Sequence, residues 1–308
     1  DSRAGLLFVD FEEGNLLQLT GHVEMNWELP DPVRYPGALR LIRFSIEEVV
    51  EQTSVLPLRW REPRQGAREF RLSRRVSESE DVVSFYFEAA EGVVVGDWLP
   101  GQHLPIEIDF GDGVAPVQRT YSLSNAPGSR EYRISVKREL DGRVSRHLHD
   151  LLQPGSIIRA YEPAGSFSLM LDEVEADRPI LLVGAGIGIT PLVAMLQSIK
   201  ANRPEQEVVL VHGVRDGAHH PLDEEVRGLI DELPRGRLHV RYSQPRIQDL
   251  EAGRLDSQGR VDVDLLEQLV EIESAEVFMC GPTGFMSTLE RDLETRGASP
   301  VRVHYELF

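Results

Sequence analysis

The sequence predicts an α/β protein combined with all-β parts: an N-terminal β fragment, a small antiparallel barrel, and a doubly wound parallel sheet. Three observations carry this. Up to about residue 170, short apolar runs alternate with polar residues and are bounded by Gly, Pro and polar turns, the mark of half-buried strands. From Arg178 onward, continuous apolar runs such as PILLVGAG alternate with helical patterns, as in a parallel sheet covered on both faces. The chain has 308 residues, more than one domain usually holds.

Residues 1–60 read as strands. GLLFVDF and NLLQLTGHVEMNW flank a turn at Glu13-Gly14-Asn15. In LIRFSIEEV, Ile42, Phe44 and Ile46 alternate with Arg43, Ser45 and Glu47, which predicts a half-buried strand. Glu47 to Glu51 read as its solvated end. Some sixty residues make a marginal core, so this piece reads as the end of something larger. Residues 61–68 (REPRQGAR) are polar, contain Pro and Gly, and read as a linker. Residues 69–170 form the predicted barrel: HLPIEIDF and YRISVKRE are strands. VSRHLHDLL is a short helix with Val144, Leu148, Leu151 and Leu152 on one side. Residues 178–308 form the α/β domain. Its strands are PILLVGAG, EVVLVHGV, RLHVRYS and AEVFMCG. Its helices are PLVAMLQSIK, Leu222 to Leu233, VDVDLLEQLV and GFMSTLERDLE. Strand–helix alternation implies right-handed crossovers.

The bulk numbers exclude several classes. The chain is 41% hydrophobic and 27% charged, with a net charge of −18. Such a chain repels phosphate backbones and anionic lipid, so neither nucleic acid nor a membrane surface is an expected partner. No apolar stretch reaches bilayer length; the run from Pro179 to Pro191 is broken by three glycines. No signal peptide is read at the start. Cys280 is the single cysteine, too few for a disulfide or an iron–sulfur cluster. A reducing, cytoplasmic compartment is expected. No metal site is expected: His147 and His149 point apart on a helix, and His219 and His220 sit in a polar loop without ligands at suitable spacing.

Four short segments carry chemistry. GAGIGITP (Gly184 to Pro191) links a strand to a helix. Its glycines let the backbone approach a pyrophosphate, Thr190 can cap the helix, and Pro191 suits the first turn. Ile189 stands where the dinucleotide fingerprint has a third glycine, and alone the loop is equally a tight turn. CGPTGFM (Cys280 to Met286) makes a second strand-to-helix turn at the carboxyl edge of the same sheet, where such sheets bind ligands. No histidine stands beside Cys280 as a base, so it reads as a buried small side chain rather than a nucleophile. RTYS (Arg119 to Ser122) offers a phosphate clamp, an aromatic face and a hydroxyl donor. GRVS (Gly142 to Ser145) opens the short helix, where an anion can bind.

Taken in order, RTYS, VKRE (Val136 to Glu139), GRVS, PAGSF (Pro163 to Phe167), GAGIGITP, CGPTGF and HYELF (His304 to Phe308) resemble the ferredoxin–NADP reductase superfamily over residues 69–308. The flavohaemoglobin reductase region and the oxygenase reductases are the most similar branches. The resemblance implies FAD in the barrel, NAD(P)H on the α/β domain, and hydride transfer from nicotinamide to flavin N5 followed by single-electron steps. By position, Arg119 with Thr120 would bind the flavin pyrophosphate side, Tyr121 would stack on the isoalloxazine, and Ser122 would lie near N5. Gln102 and His103 stand in PGQH, where relatives often carry an aromatic after Gln. Val136, Lys137, Gly142, Val144 and Ser145 belong to the FAD-binding stretch. Gly186, Gly188 and Thr190 would hold the nicotinamide side of NAD(P)H, with Gly281 and Pro282 in the second turn. Cys280 and Glu306 would lie near nicotinamide C4 and flavin N5, and Phe308 resembles the terminal aromatic that shields the ring. The catalytic set implied is thus Ser122, Cys280 and Glu306.

GLLFVDFEEGNLLQLTG and LPLRW resemble the tail of a pyridoxamine-phosphate-oxidase-like split barrel, which would allow a homodimer through that part. Together with the Asp1 start, this resemblance leads to the expectation that both ends of the native polypeptide extend further. The nucleotide is open: Arg215 or Arg246 can pair with a 2′-phosphate, whereas Asp216 can hold a ribose hydroxyl. The acceptor is a ferredoxin-like domain or protein, or another one-electron partner. The rival readings are a non-catalytic flavoprotein acting as sensor or electron-transfer subunit, and a split-barrel oxidase with an accessory reductase.

Overall fold

Gln65 divides the chain: Asp1–Arg64 and Gln65–Phe308 are separate units. The computed structural model describes residues 2–10, 14–26, 41–53, 55, 66–111, 113 and 115–307. The LPLRW segment, Glu13 of the first turn, Phe308 and most of the linker lie outside the described residues.

In the first unit, period-two patterning makes strands β1 (Ser2–Asp10), β2 (Asn15–Asn26) and β3 (Leu41–Gln52), antiparallel in the order β1-β2-β3. Asp10 faces Asn15 across the first hairpin. The register lines up Leu6, Leu19 and Val49 on one face. The opposite face carries the ion pairs Arg3–Glu47 and Arg43–Glu24. The strand predicted around Ile42 to Ile46 is present, but it is not half-buried: Ile46 is 55% exposed and Phe8 is 52% exposed. A three-stranded layer buries its apolar face only against a second layer. Glu47 to Glu51 form the exposed end of β3, as expected.

In the second unit, six strands curl into a barrel: β4 (Arg68–Ser77), β5 (Val82–Ala89), β6 (His103–Ile108), β7 (Val117–Ser122), β8 (Glu131–Lys137) and β9 (Ile157–Ala160). Arg68, placed by sequence in the linker, opens β4. The order is β7-β6-β9-β4-β5-β8, antiparallel throughout. The outer strands meet where Leu123 bridges Ile134. Inward positions Phe70, Phe85, Phe87, Leu104, Ile106 and Tyr132 fill the interior. Helix α1 (Arg143–Leu151) adds Val144 and Leu148 to that core. Leu151, expected on the same face, is 65% exposed. The helix ends there, and the extended backbone at Leu152 turns that side chain inward instead.

The chain then forms β10 (Ile180–Ala185), α2 (Ile189–Asn202), β11 (Val208–Val214), α3 (Asp223–Asp231), β12 (Gly236–Tyr242), α4 (Ile247–Glu251), β13 (Ser257–Gln258), α5 (Val263–Leu269), β14 (Glu276–Gly281), α6 (Thr283–Thr295) and β15 (Val303–Leu307). The six strands are parallel in the order β13-β12-β11-β10-β14-β15. The continuous apolar run of β10 follows from burial on both faces: Ile180 and Leu182 meet α2 and α3, and Leu181 and Val183 meet α5 and α6. Winding starts at β10, runs outward to β13, and restarts on the other side at β14. The gap between β10 and β14 is therefore the switch point, where sheets of this type bind ligands at their carboxyl edge. Among the described residues, no helix is long and apolar enough to cross a membrane.

A half-buried ion pair joins barrel to sheet. Arg133 of β8 is nearly buried and grips Glu225 of α3 with both terminal nitrogens, at 2.6 and 3.0 Å. Its guanidinium also donates to Ser124 Oγ at 3.0 Å and to the Ser124 carbonyl. Gln197 donates to Glu225 at 2.5 Å and accepts from the Ala126 amide. Removing one partner of such a pair strands the other charge. Glu225→Ala is expected to cost about 3 kcal/mol of stability. Urea unfolding of both chains measures it, and an unchanged midpoint would contradict this role.

Candidate active site

The glycine turn and the Cys280 turn face each other across the switch point. Gly188 ends a one-turn 3-10 helix, and a Cβ there would run into the carbonyl of Cys280. Only glycine permits this approach. The turn continues into α2 at Ile189. Thr190 does not cap it, as the sequence had suggested: its Oγ1 donates to the Ile187 carbonyl at 3.0 Å. Pro191 does fall in the first turn. Pro282 caps α6 on the other side. Between the turns lies a cleft of about 820 Å³, lined among others by Gly186, Arg215, Lys137, Pro282 and Phe285. That volume suits a dinucleotide-sized ligand.

At the barrel end, β6 and β7 place His103 opposite Ser122. In the sheet, β14 and β15 place Cys280 opposite Glu306. The two pairs meet. Glu306 Oε2 accepts from Ser122 Oγ at 3.3 Å, and Glu306 Oε1 lies 3.2 Å from His103 Nδ1. Ser122 and Glu306 were expected together. His103 was expected only as a weaker substitute for an aromatic; it is the second group that secures the carboxylate. Cys280 is almost fully buried, and burial first, then the Glu306 charge, pushes its thiol well above the usual range. It is a thiol, not a thiolate.

Other candidate residues are placed as follows. Arg119 and Thr120 are exposed on β7, and the Arg119 guanidinium donates to the Gln118 carbonyl. Tyr121 packs against the barrel core, and its burial, outweighing nearby Arg119, pushes its hydroxyl up to about 12. Gln102 is spent on structure: it accepts from the Leu99 amide at 2.9 Å and donates to the Gly165 carbonyl at 3.1 Å. Val136 lies in the core and its carbonyl meets His149 Nε2. Lys137 pairs with Glu139 at the cleft. Gly142 is the N-cap residue of α1 and makes no side-chain cap there. Val144 is buried, and Ser145 Oγ bonds the Gly142 carbonyl and the Glu139 amide. Gly281 packs between Ala185 and Phe285. Phe308 lies outside the described residues.

Comparison with known proteins agrees with this layout. Residues 69–169 match the oxidoreductase FAD-binding domain family, and residues 182–291 match the oxidoreductase NAD-binding domain family. The FAD/NAD-binding domain of nitric oxide dioxygenase from Vibrio cholerae is 34% identical. It superposes with a TM-score of 0.70 over 79% of this chain and 99% of that chain. The chain belongs to the ferredoxin reductase-like superfamily of FAD- and NAD-binding oxidoreductases. A Pseudomonas putida flavohemoprotein is 39% identical over 245 residues, covering 79% of this chain and 59% of its own. A Bacillus cereus flavohemoprotein is 33% identical over 246 residues, covering 78% and 60%. The reductase thus spans about 60% of the length of these curated relatives.

Sequence reasoning missed the polar group behind this reductase's cleft. His220, read as part of a polar loop, is buried; its Nδ1 lies 2.8 Å from the Tyr242 hydroxyl. Its ring meets His212 edge-on, with centroids 4.9 Å apart. Asp216 is also buried, taken by the Ala218 and His219 amides and by Arg215 and Arg246. The only sequence signal was His212 within an otherwise apolar strand.

Two measurements follow for the reductase. Burial holds His212 and His220 down to about 3, whereas an unfolded histidine titrates near its ordinary value, about 6.5. The unfolded chain therefore binds more protons between those limits, and stability falls as pH drops through them, by up to about 1.4 kcal/mol per pH unit for each histidine. Urea midpoints between pH 7 and 4 should fall less steeply in His220→Gln, and an unaltered slope would contradict the burial argument. Cys280 should resist iodoacetamide at pH 7.5 in the folded chain and react once urea unfolds it. Rapid alkylation of the folded chain would show an exposed thiolate.

Proposed function

We propose that this reductase takes a hydride from NAD(P)H at the junction of barrel and sheet and hands the electrons singly to an acceptor. The observation that carries it is the meeting of Ser122 and His103 with Glu306, which pairs in register with Cys280, two residues before Pro282 of the cleft wall. When bound, FAD supplies the chemistry, accepting a hydride and releasing single electrons. The chain's donor set fits it: an exposed guanidinium at Arg119, an aromatic face at Tyr121, and the start of α1 at Gly142, which carries no side-chain cap. Arg119 would hold the flavin's phosphates, Tyr121 its ring, and Ser122 with Glu306 the region of N5. Gly186, Gly188 and Pro282 would hold the nucleotide, and buried Cys280 would pack beside its nicotinamide.

No general base is required for hydride transfer, so these side chains act by position and by excluding water. Asp216 is not available for a ribose hydroxyl, because its oxygens are already shared among four residues. Arg215, Arg241 and Arg260 line the cleft, which supports use of NADPH alongside NADH. The acceptor is proposed to be a one-electron centre of the haem or [2Fe-2S] ferredoxin kind, on another domain or a partner. A homodimer through the first unit's apolar face is part of the same reading.

Arg119→Ala is expected to weaken FAD binding by tenfold or more. Fluorescence titration of the flavin-free chain measures it, and full flavin retention would remove the assignment. Ferricyanide reduction at limiting NADH and NADPH tests the activity. Turnover with at least one nucleotide is expected, and none with either would overturn the function.

A further inference from the structure

His212 is fully buried in the central strand β11, one residue before Gly213 of the cleft wall. Its Nε2 lies 2.9 Å from the carbonyl oxygen of Gly186. A carbonyl accepts, so Nε2 carries the proton and donates. Full burial keeps the ring neutral, which leaves Nδ1 bare. That Nδ1 is buried and has no hydrogen-bond partner. A buried unpartnered acceptor is disfavoured, and one that persists needs a reason.

The reason lies in the turn it touches. Gly186 has φ +57°, and a Cβ built on it would meet open space. A turn that receives a diphosphate must face it with amides and keep carbonyl oxygens away, because a carbonyl dipole repels the anion. The carbonyl of Ile187 is drawn inward by Thr190 Oγ1 and the Ile189 amide. The carbonyl of Gly186 is drawn inward by the Ile189 amide and by His212. A cationic donor at this buried position would be far costlier than a neutral imidazole. His220 backs the ring edge-on and is itself held by Tyr242 at 2.8 Å.

We propose that His212 is a positioning residue for the dinucleotide: by donating to the Gly186 carbonyl it keeps the glycine turn presenting amides to the diphosphate. This rests on the NAD(P)H reading above and adds a residue that never touches the nucleotide. Its effect is confined to ligands that carry a diphosphate. Glutamine can present a donor at a similar reach; leucine cannot.

The test uses the full FAD-loaded chain and calorimetric titration with ADP-ribose and with AMP. His212→Leu is expected to weaken ADP-ribose at least tenfold and leave AMP within about twofold, with His212→Gln recovering most of the loss. In steady state, KM for the nucleotide should rise in His212→Leu more than kcat falls. Unchanged ADP-ribose affinity in His212→Leu, or equal losses for ADP-ribose and AMP, would overturn the proposal. Should His212→Leu fail to fold, nitrogen-15 NMR of the unmodified chain decides: a protonated Nε2 supports the proposal, and a protonated Nδ1 overturns it. A wild-type chain that binds neither NADH, NADPH nor ADP-ribose would instead remove the nucleotide reading itself.

Discussion

The contact of Gly188 with the carbonyl of Cys280 is the constraint on which the rest of this reductase turns. It brings the ends of β10 and β14 together more closely than any side chain would allow. With that distance fixed, the glycine turn and the Cys280 turn become the two walls of one cleft. β15 then lies beside β14, and Glu306 falls opposite Cys280. The barrel completes the arrangement from outside. Ser122 and His103 each take one oxygen of the Glu306 carboxylate, while Arg133 and Glu225 lock barrel and sheet together elsewhere. Positioning is the main device available to a protein whose cofactors carry the chemistry, and here it comes from backbone packing and a few buried polar contacts.

Much of this was legible in the residues. The shift from period-two runs to continuous apolar runs near Arg178 follows from one-sided against two-sided burial, so barrel and parallel sheet could be told apart. Two glycine-containing turns at strand ends pointed to the carboxyl edge. Pairings between distant segments were not legible. Nothing local links His103 to Glu306, or Arg133 to Glu225, since each depends on how two sheets dock. Thr190 looked like a cap because hydroxyls cap helices, but its partner is a carbonyl one turn back. His220 looked solvated because its neighbours are polar; the fold turns it inward against Tyr242. The strand around Ile46 was read as half-buried, yet its face has no covering layer among the described residues of the first unit.

The polar interior behind the cleft has one chemical logic. Neutral histidines in a buried place donate without carrying charge, so His212 holds the Gly186 carbonyl without needing a counter-ion, while the charge of Asp216 nearby is met by Arg215 and Arg246. The same arrangement makes the domain acid-sensitive, because unfolding releases both rings to take up protons.

In the proposed reaction, barrel and sheet are docked so that a nucleotide in the cleft delivers hydride to a flavin on the barrel. Anaerobic stopped-flow mixing of the FAD-loaded chain with one equivalent of NADH or NADPH tests it most directly, repeated with nucleotide deuterated at C4. The visible absorbance of the oxidised flavin is expected to bleach in a single turnover, and more slowly with deuterium. Flavin that remains oxidised with both nucleotides would contradict it.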